Sequence, residues 1–234
     1  LLRTADHLVA NFEGVLWSGP GRPPKVFAAQ RHTDLTVLEA LADVVPRERI
    51  IASVANNHTA DFGWTQHRRT CDTIVDAGFG LIGSLASPGI RIHDDVHVAA
   101  ATQWTNQAHA YLPFVGRGGD PCATGLVDPD VAYNVLVPHW GIEHELYPRP
   151  AMVDLAHRLL DHWDLLVGHH PHVPCPIGTV DHGGRPRLVA WSLGQAQAFR
   201  CRAAVGTHQS TGAKFDAAIP ARDDGHNPIV ALAL

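Results

Sequence analysis

Two short apolar runs in the second half of the chain each end directly in histidines. Residues 133–137 read Y-N-V-L-V, and His139 follows after a single proline. Residues 165–167 read L-L-V, and the H-H-P-H segment 169–172 follows. Runs of this kind predict buried strands. Ligands of an open α/β sheet bind at the carboxyl ends of its strands, where histidine can ligate a metal or transfer a proton. The alternative is that these histidines only cap the sheet.

The rest of the chain alternates between helical and strand-like patterns. Apolar spacing at the helical period predicts helices over residues 33–45, 64–75 and 150–163. Short β-branched runs predict further strands at residues 8–10, 49–55, 79–82, 96–102 and 188–191, with a hairpin turn at 181–185. We therefore expect a mixed α/β sandwich with flanking helices. Residues 103–129 lose the periodicity, and long loops of this kind are often functional.

Composition excludes several classes of protein. The 234 residues are 45% hydrophobic and 18% charged, which fits one α/β domain or a large part of one. A net charge of -5 without a basic stripe argues against a nucleic-acid partner, and no run is long enough for a transmembrane segment. The four cysteines include no C-x-x-C pair, so a cysteine zinc site is not expected, while one or two disulfides stay open. Both ends look abrupt, which suggests a fragment of a longer protein.

Polar clusters follow five of the predicted strands. They are Asn11 with Glu13, Asn57 with His58 and Asp61, His139 with Glu143, His170 with His172, and Ser192 with Gln195. Carboxylate, amide oxygen and imidazole together suit divalent manganese, iron or zinc. A site with two metal ions would activate a water molecule and bind both the attacking and the leaving oxygen of a displacement reaction. An adjacent asparagine and histidine can divide this work, because the amide ligates the metal while the imidazole protonates a leaving group.

The segments around these clusters resemble the motifs of the bacterial capsule-synthesis family, the CapA or PgsA poly-gamma-glutamate biosynthesis proteins. Residues 55–63, A-N-N-H-T-A-D-F-G, are similar to the family's A-N-N-H-x-x-D-x-G, and N-F-E-G at 11–14 is similar to N-L-E-G. Residues 139–143 match H-W-G-x-E, and residues 168–173 match G-x-H-P-H-V. W-S-L-G-Q at 191–195 resembles Y-S-L-G-N, with Gln195 in place of the asparagine. The five motifs come in the family's order and span most of the chain.

The resemblance implies a calcineurin-like metallophosphoesterase fold, a four-layer α/β/β/α sandwich. Residues 1–234 would be a single domain, a fragment without the family's opening strand, whose Gly-Asp aspartate resembles a first metal ligand. The implied metal ligands are Glu13, Asn57, His139, His170 and His172. His58 would be the general acid, with Asp61 orienting it. The residues implied to contact substrate or to support the ligands are Asn11, Asn56, Glu143, His169, Ser192 and Gln195.

The function implied by the resemblance is capsule or poly-gamma-glutamate synthesis, through metal-dependent hydrolysis of a phosphoester or an amide. The substrate would be a polymer or a small molecule. The cofactors would be divalent manganese, iron or zinc, up to two ions in the full-length protein. The alternative is a non-catalytic accessory subunit of a capsule-polymer synthesis complex, and a third reading is a zinc-free, histidine-rich binding module. Many family members carry a membrane anchor outside this region, and the compartment stays open.

Overall fold

The computed structural model describes residues 5–17, 32–107, 112–117, 119–194 and 232–233. Strands and helices alternate along this part of the chain, so the predicted mixed α/β class is confirmed. The strands are β1 (Leu8–Asn11), β2 (Val15–Leu16), β3 (His32–Thr33), β4 (Ile50–Ser53), β5 (Gly80–Ile82), β6 (Gly89–His93), β7 (Val96–Thr102), β8 (Tyr133–His139), β9 (Leu165–Val167), β10 (Ile177–His182), β11 (Arg185–Ala190) and β12 (Leu232–Ala233). The α-helices are α1 (Thr36–Ala42), α2 (Trp64–Asp76) and α3 (Pro150–Leu159).

Two large sheets contain most of these strands. One has the order β12-β1-β4-β5, in which β1, β4 and β5 run parallel and β12 is antiparallel. The other has the order β10-β11-β9-β8-β7-β6, with a parallel centre and an antiparallel strand at each edge. β2 and β3 form a separate two-stranded pair. The parallel centres bring the carboxyl ends of several strands to one edge of each sheet.

The side chains of the central strands alternate between two hydrophobic layers. In β8, Val135 and Val137 pack against the other sheet, whereas Leu136 packs with the apolar face of α3. In β4, Ile51 joins the layer between the sheets, whereas Ile50 packs with α1 and α2. Because successive side chains of a strand point to opposite faces, both sheets are covered on both sides. The two sheets therefore pack face to face, with α1 and α2 outside one sheet and α3 outside the other.

The helix boundaries differ from the sequence prediction by more than one residue at three places, one of which is the end of α1, predicted at Val45 but observed at Ala42. α1 was predicted to begin at Thr33, but Thr33 pairs with Leu16 in the β2–β3 ladder, and the helix begins after it. α3 was predicted to continue to Trp163, but it ends at Leu159. Trp163 is still buried beyond the helix, where its indole donates a hydrogen bond to the carbonyl of Cys122 at 3.0 Å. Apolar spacing therefore predicted the burial of Trp163 correctly, although the helix stops short of it.

Three further expectations concern a hairpin turn, disulfide bonds and membrane-spanning helices. The hairpin turn predicted at residues 181–185 joins β10 to β11, with His182 paired to Arg185 across it. Three of the four cysteines are free thiols, so no disulfide forms among them, and Cys201 lies outside the described residues. In the part of the chain that the structure describes, no helix is both long enough and apolar enough to cross a membrane.

Candidate metal centre

The loops that leave β1, β4, β8 and β9 meet at one place because these strands end at the same edge of the two packed sheets. In one sheet Asn11 is aligned with Ser53 across the β1–β4 ladder. In the other, His139 is aligned with Thr102, and the pairing continues through a bridge from His139 to His169. The polar clusters that follow the four strands are thereby brought into contact.

Asn11 and Asn56 connect the first two loops of the site. The Asn56 amide donates to the carbonyl of Phe12 at 2.9 Å and lies 3.4 Å from Asn11 Oδ1. Asn11 Nδ2 in turn donates to Glu13 Oε2 at 3.2 Å. The backbone N–H of His58 donates to Asn56 Oδ1 at 3.1 Å. These bonds hold Glu13 and His58 in place relative to each other.

His58 and Asp61 form a buried pair at the start of the loop before α2. His58 Nδ1 and Asp61 Oδ2 are 2.6 Å apart, and both side chains are almost fully buried. A carboxylate accepts hydrogen bonds, so this contact places a proton on Nδ1. His58 Nε2 then faces the other way, toward Glu13 Oε1 at 3.8 Å.

His139 lies at the centre of the cluster. It is 1% exposed, its Nε2 is 3.0 Å from Asn57 Oδ1, and its ring centroid is 4.6 Å from that of His170. Burial and the neighbouring imidazoles lower the pKa of His139 well below its usual value. A neutral imidazole is the form that binds metal ions. Among the described residues, His139 Nδ1 is buried without a hydrogen-bond partner.

Glu143, His170 and His172 form the other side of the cluster. One ligand atom from each lies within 4.8 Å of the others. His172 Nε2 is 3.9 Å from Glu143 Oε1 and 3.5 Å from Glu13 Oε1. His170 and His172 have φ values of 100° and 62°, a region that costs a non-glycine residue roughly 1–3 kcal/mol. The backbone is strained where it turns these two imidazoles toward the cluster.

A close contact behind the histidines explains the glycine that precedes them. A Cβ on Gly168 would lie 2.1 Å from the carbonyl oxygen of Trp191 and 2.3 Å from Trp140 Nε1. Trp140 Nε1 donates to that same carbonyl at 3.0 Å, and the two indoles stack with centroids 5.7 Å apart. Residues from three of the motifs therefore pack into one buried contact, which fixes how β8, β9 and β11 end.

The remaining predicted site residues have other positions. His169 continues the β8–β9 pairing through its backbone, and burial lowers the pKa of its imidazole to about 4. Ser192 is buried and accepts a hydrogen bond from the N–H of Gly194 at 3.2 Å, so it stabilises its own loop. Gln195 lies outside the described residues.

Asn106 is a site residue that the sequence prediction missed. Its Nδ2 lies 3.2 Å from both Asp61 Oδ1 and His58 Nδ1, and its Oδ1 accepts from Asn57 Nδ2 at 3.4 Å. It belongs to the long loop after β7 that was predicted to be functional. No motif marks it, and only its spatial position identifies it.

Comparison with known proteins gives the family. The family model described as Bacterial capsule synthesis protein PGA_cap matches residues 1–91 and 127–197, which is more than half of the chain. The chain belongs to this bacterial capsule synthesis family. The match includes every predicted site residue, but it does not include the segment that contains Asn106.

Curated relatives of this family member are similar over most of its length. A capsule biosynthesis protein CapA of Bacillus anthracis is 25% identical over 82% of this chain and 50% of its own length. A PGA biosynthesis protein CapA of Bacillus subtilis is 24% identical over 77% of this chain and 52% of its own. A probable polyglutamine synthesis accessory protein of Mycobacterium tuberculosis is 27% identical over 59% of this chain and 43% of its own length. The chain thus spans about half the length of the curated relatives it matches.

The donor atoms of this family member fit a divalent metal ion. Two ligand atoms that are each about 2.1 Å from one ion lie about 3–4 Å apart. The contacts of His139 with Asn57 and of His172 with Glu13 and Glu143, at 3.0, 3.5 and 3.9 Å, are in this range. The combination of imidazole, amide oxygen and carboxylate suits manganese, iron or zinc. The neutral form of the buried His139 imidazole, which is the form that binds metal ions, supports the same assignment.

Proposed function

We propose that this chain is a metal-dependent hydrolase domain of the capsule synthesis family, with a calcineurin-like metallophosphoesterase fold over its whole length. The convergence of two carboxylates, an amide and three histidines at the ends of four strands is the observation that carries the proposal. The packing of two sheets between outer helices supports the fold. The strained backbone at His170 and His172 supports a functional role, because such strain is costly without one.

The proposed ligands of the ion are Glu13, Asn57, His139, His170 and His172. Glu143 joins them, because its carboxylate groups with His170 and His172 rather than standing apart as a substrate contact. A bound divalent ion would lower the pKa of a ligated water and offset negative charge that develops on the substrate. The protein contributes the neutral imidazole of His139 and buried surroundings, which keep the ligand side chains in position for the ion.

His58 is the proposed general acid. Asp61 accepts the hydrogen bond from Nδ1, which fixes the tautomer and directs Nε2 toward the cluster. A protonated Nε2 there can deliver a proton to the leaving group of a phosphoester or an amide.

A cavity beside the cluster is the proposed binding place for the part of the substrate that does not react. Its volume is about 140 Å³, and its lining includes Pro171, which lies between His170 and His172, and Gly141, which lies between His139 and Glu143 in the chain. Trp104, whose ring centroid is 6.2 Å from that of His170, also lines the cavity. Because the relatives are named for capsule and PGA biosynthesis, we propose a precursor or segment of such a polymer as substrate.

The second candidate is a non-catalytic subunit of a capsule-polymer synthesis complex. The observation that favours it is the name of the mycobacterial relative, a probable polyglutamine synthesis accessory protein. In this version the cluster would stabilise the loops and would not turn over a substrate. Metal uptake alone does not separate the two candidates, but hydrolysis does.

The test is hydrolysis by the purified chain supplied with Mn²⁺, Fe²⁺ or Zn²⁺. The probes are bis-p-nitrophenyl phosphate, p-nitrophenyl phosphate and γ-glutamyl-p-nitroanilide, which separate phosphodiester, phosphomonoester and amide cleavage. We expect turnover of at least one probe, lost in His139→Ala and retained in the control His157→Ala, an exposed histidine of α3. No turnover of any probe by a metal-loaded chain would favour the accessory role.

A further inference from the structure

We propose that Asn106 is a positioning residue that fixes the amide orientation of Asn57, so that the oxygen of that amide faces the candidate metal centre. This inference rests on the proposed metal centre and adds a residue to it. An asparagine amide ligates a cation through its oxygen, whereas its NH2 group can only donate. Which end of Asn57 faces His139 therefore decides whether Asn57 is a ligand.

The Asp61 carboxylate sets the orientation of Asn106. Asp61 Oδ2 accepts from His58 Nδ1 at 2.6 Å, and Asp61 Oδ1 lies 3.2 Å from Asn106 Nδ2. A carboxylate accepts hydrogen bonds, so the end of Asn106 that faces it must be the donating NH2 group. The carbonyl end of Asn106 then has to face the other way.

That carbonyl end lies against Asn57. Asn57 Nδ2 is 3.4 Å from Asn106 Oδ1, and the backbone N–H of Asn106 donates to the carbonyl of Asn57 at 3.1 Å. Since Asn106 presents an acceptor, Asn57 presents its NH2 group to it. Asn57 Oδ1 is thereby left at the opposite end, 3.0 Å from His139 Nε2. Asp61 therefore fixes the orientation of the Asn106 amide, and Asn106 in turn fixes the orientation of the Asn57 amide.

Asn106 comes from a segment outside the family match, which ends at residue 91 and resumes at residue 127. The side chain is on the exposed part of its loop, so the fold does not depend on burying it. The shared motifs supply the ligands, and this additional segment supplies the residue that orients one of them. Residues that orient ligands typically change metal affinity by about 10–100-fold when they are removed.

The experiment is a calorimetric titration of the full metal-free chain with Mn²⁺ and, separately, with Zn²⁺. We expect Asn106→Ala to weaken metal binding by about 10–100-fold, because the Asn57 amide loses the partner that fixes it. Asn106→Asp should weaken binding at least as much, because it places a second carboxylate against Asp61. The control is Gln107→Ala, whose backbone, not its side chain, bonds to Thr105, and it should bind like the wild type.

The melting temperature of the metal-free variants separates positioning from a purely structural role. We expect Asn106→Ala without metal to melt near the wild type. The inference would be overturned if Asn106→Ala bound metal as tightly as the wild type. It would also be overturned if the variant lost affinity only because the metal-free protein had become less stable. Either result would leave the metal centre intact. A wild-type chain that binds neither ion would overturn the metal centre and this inference together.

Discussion

At the scale of single residues, a structural and a catalytic role of His58 predict clearly different effects of replacing it. As a structural residue it would satisfy Asp61 and the neighbouring backbone, and removing it would cost roughly 1 kcal/mol of stability. The orientation of its Nε2 toward Glu13 instead suits proton transfer to a substrate at the cluster.

The corresponding substitution is His58→Asn, which retains a polar side chain at the buried position. We expect turnover of the preferred chromogenic substrate to fall roughly 10²–10⁴-fold, the usual contribution of a general acid. Metal affinity and melting temperature should stay near those of the wild type. A His58→Asn protein with intact turnover at saturating metal would show that His58 is structural.

A second residue, His67, makes stability depend on pH independently of the site. Burial in α2 lowers its pKa from 6.5 to about 4, so between these values the unfolded chain binds the proton and the folded chain does not. The free energy of unfolding should therefore fall as the pH is lowered from about 6.5 toward about 4. His67→Gln should flatten this slope in urea unfolding measured across that range. An unchanged slope would contradict the assignment.

At the scale of elements, the ends of β8, β9 and β11 depend on close packing behind the histidines. A Cβ on Gly168 would overlap the backbone oxygen of Trp191, which cannot move without displacing a strand. Gly168→Ala should lower the free energy of unfolding by about 1–3 kcal/mol, the typical cost of adding a group to a tightly packed position. Gly178 in β10 is the matched control, since a Cβ there would meet no atom within 4 Å. Equal stability of the two variants by urea unfolding would contradict this packing.

The elements also show what the sequence could predict. Helical and strand-like periodicity gave α2 to within one residue and the full range of β7, because burial of one face imposes those periods. The start of α1 was missed because Thr33 pairs with a strand far away in sequence. Asn106 and the positive φ angles of His170 and His172 were missed for the same reason: they depend on contacts between distant segments, and no local pattern encodes them.

At the scale of the whole molecule, the two sheets together form one site, because the first motifs along the chain follow strands of one sheet and the later motifs follow strands of the other. The four-stranded sheet supplies the loops with Glu13 and Asn57, and the six-stranded sheet supplies His139, His170 and His172. A ligand that joins these loops should stabilise the folded chain as a unit, because it binds only the folded state. We expect added Mn²⁺ or Zn²⁺ to raise the melting temperature in proportion to the logarithm of the free metal concentration. A melting temperature independent of metal would contradict this coupling.

The most direct test of the metal centre is the stoichiometry and affinity of metal binding by the chain and by His172→Ala. His172 contacts carboxylates of both sheets' loops, through Glu13 at 3.5 Å and Glu143 at 3.9 Å. We predict saturable, stoichiometric binding in the wild type and in the exposed-histidine control His157→Ala, with a loss of at least about 10-fold in His172→Ala. A wild-type chain that takes up no metal, or a His172→Ala chain that binds it as well as the control, would contradict the account.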